Sequence, residues 1–375
     1  MLLNTRLTNW LAFLLSLIMM TEARCEEQSP QSVVDLSQLM DLSALVDSVA
    51  DRRVVFVGES HDQYPHHLNQ LTLIKGVYAK HSDLAIGLEF FAQPYQPVLD
   101  AYVRGEIDEA QMLRDTQYFE RWRFDYRLYR PILQYAREHG IPLIALNLER
   151  EITEKVGREG LDALDEDQRA RMPEIDRDNE TYLNRLKAIF DSHPHGEGRS
   201  FDNFLAVQLL WDEGMAERAA RWLTEHPGRP MVILAGVGHL MYGDGIPKRL
   251  QRRVPDSQAI VLNVNSPQEL DPSLADYVIL AKGPELPPGG KLGILLNTQD
   301  SPLEINGFVE GSAAANAGLK EKDRILALDG QSVENYTDLR IALMDKGVGD
   351  KVSVKFERDR IFIGATVETV EVILK

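Results

Sequence analysis

Four uninterrupted apolar runs, separated by stretches long enough for helices, constrain the fold of this chain more than any other feature. They are Val54 to Val57, Leu84 to Leu88, Pro142 to Leu146 and Met231 to Ala235. Strands that are apolar along their whole length are buried on both faces, which is typical of parallel sheets covered by helices. The pattern therefore predicts an α/β fold with a largely parallel sheet and helices on both faces. Two later runs, residues 259–264 and 277–280, are predicted to extend this sheet.

Polar side chains follow each of the four runs. Glu59 and His61 follow the first run, Glu89 the second, Asn147 the third and His239 the fourth. Because the carboxyl ends of parallel strands meet at one edge of a sheet, we expect these side chains to lie close together. For Asn147 alone, the simpler interpretation is that the chain reaches water there. The mixture of carboxylate and imidazole groups suits a metal ion or an acid–base pair, and burying such groups without a partner is costly.

Three common catalytic signatures are incomplete in the sequence. Residues 58–62 begin like the nucleophile elbow of serine hydrolases, but Asp62 stands where glycine is needed. Residues 236–241 begin like a dinucleotide-binding fingerprint, but Met241 replaces the third glycine. The helical metalloprotease motif, with two histidines four residues apart, is missing from the sequence. Serine-hydrolase, NAD-dependent and conventional zinc-protease chemistries are therefore unsupported.

The charge of the chain argues against a nucleic-acid partner. Its 41 Lys and Arg side chains are outnumbered by 58 Asp and Glu, which gives a formal net charge of −17. The sequence contains no run of five or more basic residues that would offset this excess locally. Such a chain repels phosphate backbones and anionic lipid headgroups.

The N-terminus has the pattern of a signal peptide. Residues 10–20 form an uncharged, mostly apolar run, which is too short to span a bilayer as a helix but suits a signal-peptide core. A cleavage after Ala23 would follow small residues at positions −3 and −1, so residues 1–23 are predicted to be removed from a periplasmic or secreted protein. Cys25 is the one cysteine of the chain. An intramolecular disulfide is therefore excluded, and membrane attachment is expected only if Cys25 is lipidated.

The sequence divides into two predicted domains. Six of the eight residues 283–290 are glycine or proline, a composition that supports neither a helix nor a central strand. We therefore predict a first domain over residues 30–270, a linker over 283–290 and a smaller β-rich domain over 291–375.

Motifs spread over residues 45–265 resemble the ChaN family of bacterial haem-binding proteins. They comprise residues 58–62, 65–67, 145–148, 208–216 and 236–247. The resemblance implies haem at the sheet edge, with tyrosine or histidine as the iron ligand, and it allows a homodimer. The haem contacts that it suggests are His61, Tyr64, His66, Arg121, Arg123, His239 and Tyr242.

The same motifs are also similar to those of Tiki proteases and erythromycin esterases. This second resemblance implies an alternative function, a metal-dependent hydrolase or protease. Its catalytic residues would be Glu59, His61, Glu89 and His239, acting with a divalent metal ion. The sequence leaves both functions open.

Residues 118–130 contain four arginines and six aromatic residues. This stretch would provide a haem site with apolar walls and with cations for the two propionates. An amphipathic helix whose arginines pair with the many acidic residues explains the same pattern, and the sequence does not separate the two interpretations. Asp212, in the amphipathic stretch 200–223, is a further candidate for the sheet edge.

The C-terminal residues resemble a bacterial PDZ domain. Leu292, Gly293 and Ile294 match its carboxylate-binding turn, and residues 311–319 and 323–330 match its helix entry and central strand. The resemblance implies that a peptide or protein C-terminus binds as an added strand, with its carboxylate at these three residues. It also implies that residues 338–344 form the helix that lines the peptide-binding groove. Docking against another part of the same chain is the alternative.

Overall fold

The computed structural model describes residues 36–192, 200–266, 271–297, 301–360, 362 and 364–375. The predicted signal peptide and Cys25 lie outside these residues. Residues 40–375 form one compact unit, and the described part of the preceding stretch is a 3-10 turn, Leu36–Gln38. Within the described residues, no helix is both long and apolar enough to cross a membrane.

A six-stranded sheet, parallel throughout, forms the centre of the first domain. Its strand order is β3-β2-β4-β1-β5-β6. The strands are β1 (Val54–Glu59), β2 (Ala85–Ala92), β3 (Leu143–Asn147), β4 (Met231–Gly236), β5 (Gln258–Val264) and β6 (Tyr277–Leu280). The α/β prediction is confirmed, and all six predicted runs are strands.

The helices connect the strands and cover the sheet. They are α1 (Leu42–Val49), α2 (Tyr64–Lys80), α3 (Gln96–Val103), α4 (Glu109–Asp115), α5 (Tyr118–Arg121), α6 (Arg130–His139), α7 (Arg150–Glu159), α8 (Glu166–Ala170), α9 (Glu180–Ser192), α10 (Phe201–Glu225) and α11 (Ile246–Arg253). Alternate side chains of β1 enter two different apolar clusters, Val55 and Val57 in one and Val54 and Phe56 in the other. Burial on both faces explains why the strand sequences are continuously apolar.

The C-terminal part forms a second, antiparallel sheet with its own apolar core. Its order is β12-β11-β9-β8-β7, and β10 pairs with β9. The elements are β7 (Ile294–Leu296), β8 (Leu303–Phe308), α12 (Ala313–Asn316), β9 (Arg324–Leu328), β10 (Gln331–Ser332), α13 (Tyr336–Leu343), β11 (Lys351–Arg360) and β12 (Gly364–Ile373). This arrangement confirms the predicted small β-rich domain.

The predicted carboxylate-binding turn precedes the edge strand β7. Leu292 is buried, and Gly293 has φ +73°, a conformation that side chains other than glycine rarely adopt. A Cβ at Gly293 would also lie 2.9 Å from the Cα of Ser312. Both observations explain the glycine in this turn.

Candidate functional site

The first strand end holds an imidazole against a buried carboxylate. His61 Nδ1 lies 2.5 Å from Glu59 Oε1, and the Glu59 side chain is 3% exposed. The other carboxylate oxygen, Oε2, has no hydrogen-bond partner among the described residues and lies 3.9 Å from His67 Nε2. Glu59 and His61 are therefore in direct contact at the end of β1.

A second carboxylate–imidazole pair lies at the end of β4. His239 Nδ1 is 2.6 Å from Asp212 Oδ1, and the hydroxyl of Tyr182 donates to Asp212 Oδ2 at 2.7 Å. Glu89 lies beside this pair, because its Oε1 is 3.5 Å from His239 Nε2 and its Oε2 accepts a 2.6 Å hydrogen bond from the backbone of Gly236. The strand ends thus bring two imidazoles and two carboxylates to one edge, and helix α10 adds the carboxylate of Asp212, as the sequence suggested.

Charge interactions outweigh burial at Glu89 and His239. Burial alone would raise the pKa of Glu89, but the positive charge of His239, its hydrogen bond and the Gly236 N–H lower that pKa to about 2. Burial would lower the pKa of His239, but the charges of Glu89 and Asp212 raise it well above its ordinary value. Glu89 and His239 therefore form an ion pair.

Burial dominates at Glu59 instead and raises the pKa of its carboxyl, although the hydrogen bond from His61 opposes that shift. The neighbouring His67 is also affected, since burial lowers its pKa to about 4. Gln70 donates to the Val57 carbonyl, so its amide oxygen accepts the proton of His67 Nδ1 at 3.0 Å. The other ring nitrogen of His67, Nε2, lies 3.3 Å from the backbone oxygen of His61 and 3.9 Å from Glu59 Oε2.

A cavity of about 1080 Å³ opens beside these pairs. His61, Glu89 and His239 lie in its wall, together with Asn147 from the end of β3. Aromatic side chains form much of the remaining lining: Phe90, Phe91, Tyr95, Tyr118, Trp122, Phe190, Phe204 and Trp211. The cavity therefore combines apolar walls with ionisable groups at the sheet edge.

Four of the residues that the sequence suggested as haem contacts lie outside the lining of this cavity: Tyr64, His66, Arg123 and Tyr242. His66 is fully buried, its Nδ1 accepts from the Ser60 N–H at 3.0 Å and its Nε2 lies 3.1 Å from Asn265. His66 therefore helps to hold the turn that follows β1. The other three are placed elsewhere on the domain.

Tyr242 lines a different cavity, of about 670 Å³, and the guanidinium of Arg185 lies 5.8 Å from its ring. Its φ of +61° lies in the left-handed region. Arg123 donates to the backbone oxygen of Glu120. Tyr64 packs against the apolar core beneath β1.

Only one of the four arginines in residues 118–130 reaches the cavity, and it is Arg121, which pairs with Glu151. Arg127 pairs with Asp125, and Arg130 pairs with Glu109 and Asp345. The stretch consists of α5, a 3-10 turn (Tyr126–Leu128) and the start of α6. For Arg127 and Arg130, pairing with acidic residues is therefore the correct interpretation.

Helix α7 supplies two cavity arginines that the sequence reasoning missed. Arg150 and Arg158 line the cavity, as does Glu154 between them. These residues are four apart and so share one helix face. The four-residue spacing of these charged residues, in the stretch that follows the polar end of β3, is the sequence pattern that could have identified them as lining residues.

The strand-end groups also meet the geometric requirement for a metal site. Glu59, His61 and Glu89 each offer one ligand atom within 4.8 Å of the others. Carboxylate oxygen and imidazole nitrogen are suitable ligands for zinc, iron and manganese.

Two family models match the chain. The model described as haem-binding uptake, Tiki superfamily, ChaN covers residues 45–250, and a PDZ domain model covers residues 284–357. The first match includes strands β1 to β4 of the parallel sheet, and the second includes β7 to β10 and most of β11 of the antiparallel sheet.

Among solved structures, one described as showing cofacial haem binding to ChaN of Campylobacter jejuni has a TM-score of 0.50 and 19% identity. The match covers 65% of this chain and 93% of that protein, and it supports the fold. An erythromycin esterase in an open conformation has a TM-score of 0.38 and 15% identity, over 60% of this chain and 74% of the esterase. A TM-score that low supports no inference about this chain.

A curated relative is the chloroplastic protein RETICULATA-RELATED 5 of Arabidopsis thaliana. It is 24% identical over 249 residues, which are 59% of this chain. The match spans about a third of that relative's length, 32%.

Proposed function

The chain belongs to the ChaN family of the Tiki superfamily, and on this premise we propose that its first domain binds haem in the large cavity, where His61 would hold the iron. One observation carries the assignment. His61 lies in the cavity wall with Nδ1 engaged by Glu59, so Nε2 is the ring nitrogen offered to iron. A carboxylate behind a ligating histidine is the usual device for orienting the ring and raising its basicity.

The residues present fit a haem group. The cavity volume of about 1080 Å³ suffices for a large planar ligand, and aromatic side chains supply the apolar walls. Arg121, Arg150 and Arg158 supply cations for propionates. Arg121 pairs with Glu151 and Arg150 with Glu154, and a propionate would compete with those two carboxylates.

The iron of a bound haem would supply ligand coordination and redox chemistry. The chain's own groups define its surroundings. Glu59 fixes the orientation of His61 through the 2.5 Å contact, and Asp212 fixes that of His239. The ion pair between His239 and Glu89 places a donor and an acceptor for protons at the cavity wall.

The proposal is tested by titrating the purified protein with hemin. We expect saturation at about one hemin per chain, with the Soret shift of imidazole ligation, because one imidazole nitrogen is offered to the cavity. A linear rise in absorbance without a saturation point, like that of hemin added to a non-binding protein, would contradict it.

The metal-dependent hydrolase or protease is a second candidate, favoured by the mutual proximity of Glu59, His61 and Glu89. A divalent ion there would be held by Glu59, His61 and Glu89, and His239 with Asp212 would act as the proton carrier. Metal analysis of the same preparation separates the candidates. Stoichiometric divalent metal, with chelator-sensitive hydrolysis of peptides or esters, supports the second candidate.

We further propose that the PDZ domain docks a protein C-terminus beside β7 and that the protein handles haem or iron in the cell envelope. The turn 292–294 and the exposed edge strand β7 support the docking.

The signal-like residues 1–23 support export. Mass spectrometry of the mature protein is expected to find Arg24 at its N-terminus, or a lipidated Cys25. An intact Met1 after expression in the native host would contradict export.

A further inference from the structure

The short helix α5 is shared between the cavity and the PDZ domain. Tyr118 and Arg121 line the cavity, as does the adjacent Trp122. Phe119 and Glu120 instead contact α13, the helix that corresponds to the PDZ groove helix. The guanidinium of Arg340 lies 4.8 Å from the Phe119 ring, and the Thr337 hydroxyl donates to Glu120 Oε1.

Further contacts attach α13 to the first domain. Arg114 Nε donates to Asp338 Oδ1 at 2.7 Å, and Arg130 pairs with Asp345 just beyond the end of the helix. Ile341 and Met344 pack against the apolar core of the first domain. One face of the groove helix is therefore held by the domain that contains the cavity.

The segment that carries α5 is strained. Gln117 and Arg123, which bracket it, have φ of +52° and +70°, a region that residues other than glycine rarely adopt. Seven buried side-chain atoms lack a hydrogen-bond partner among the described residues, and three of them belong to this segment: Tyr118 Oη, Glu120 Oε2 and Trp122 Nε1. Strain and unsatisfied polar groups of this kind collect at segments that respond to ligands.

We propose that residues 117–123 couple the cavity to the PDZ groove, so that a ligand in the cavity shifts α5 and, through Phe119 and Glu120, repositions α13. Haem binding and peptide docking then influence each other's affinity, because such coupling is reciprocal. This inference rests on the proposed haem-binding function. The proposed coupling needs both domains. Tyr118 and Arg121 of α5 line the cavity of the first domain, whereas Phe119 and Glu120 contact the PDZ domain.

The test uses the full chain with hemin as the cavity ligand. We expect hemin to change the amide hydrogen-exchange rates of α13 at least threefold, while those of the β11–β12 hairpin stay unchanged. Thr337→Val removes the hydroxyl that donates to Glu120 with little change in shape. We expect it to change the dissociation constant of hemin at least threefold, although Thr337 lies outside the cavity lining.

Lys351→Ala is the matched control, because this PDZ residue pairs with the exposed Glu371 on the hairpin. It should leave hemin binding unchanged. Normal hemin saturation with unchanged α13 exchange and an unchanged Thr337→Val affinity would overturn the coupling and leave the proposed function intact. Failure of the wild type to saturate with hemin would instead defeat the proposed function, and the coupling with it.

Discussion

His61→Ala should lower the affinity of the protein for hemin by about 100-fold or more and abolish the imidazole-type Soret shift. The reason is that alanine removes the ring nitrogen proposed to bind iron. Changing a group that merely supports a metal ligand already costs about 10- to 100-fold in affinity, and loss of the ligand is expected to exceed that. Alanine also removes the partner of the buried Glu59 Oε1, so the free energy of unfolding of the variant is measured alongside. Hemin titration followed by absorption spectroscopy measures the effect.

Tyr242→Phe and Tyr64→Phe are the controls for this prediction. Both tyrosines are haem-ligand candidates on sequence grounds, and both lie outside the cavity lining. Their variants should bind hemin like the wild type. Retained binding in His61→Ala, combined with lost binding in Tyr242→Phe, would reverse the assignment of the ligand.

The sheet and the pairing at its edge were predictable for the same physical reason. Strands buried on both faces leave an unbroken apolar signal, and a parallel sheet gathers their ends on one side. Glu59, His61, Glu89 and His239 could therefore be placed together without knowing a single contact. The role of Glu89 as partner of His239 required coordinates, because the two residues are 150 positions apart.

The surroundings of the site were harder to predict because they come from helices. Tyr182 on α9 and Arg150 on α7 enter the site through helix packing, which no local pattern specifies. His66 shows the same limit. It belongs to a motif of the family resemblance, yet the first turn of α2 directs its ring beneath the sheet edge, toward Asn265. The attachment of α13 to α5 was not predicted, because the sequence left open only that the PDZ domain docks against an unspecified part of the same chain.

Glu89→Gln is expected to destabilise the protein at neutral pH and to flatten the acid side of its stability profile. The folded-state pKa of Glu89 is about 2, below its ordinary value of 4.5. Its ionised form therefore stabilises the fold fully above pH 5, and this contribution is lost as pH falls from about 5 toward 2. Because the carboxyl is nearly fully buried, the shift corresponds to a contribution on the order of 3 kcal/mol.

Urea unfolding of both proteins between pH 7 and pH 3 measures the difference. The wild type should be more stable at pH 7, and the two free energies of unfolding should converge as pH falls, because a protonated Glu89 resembles glutamine. Glu371→Gln, at an exposed carboxyl on the PDZ hairpin, serves as the control and should follow the wild type throughout. A difference between wild type and Glu89→Gln that stays constant from pH 7 to pH 3 would show that packing holds Glu89 in place. In that case its charge beside His239 would contribute nothing to stability.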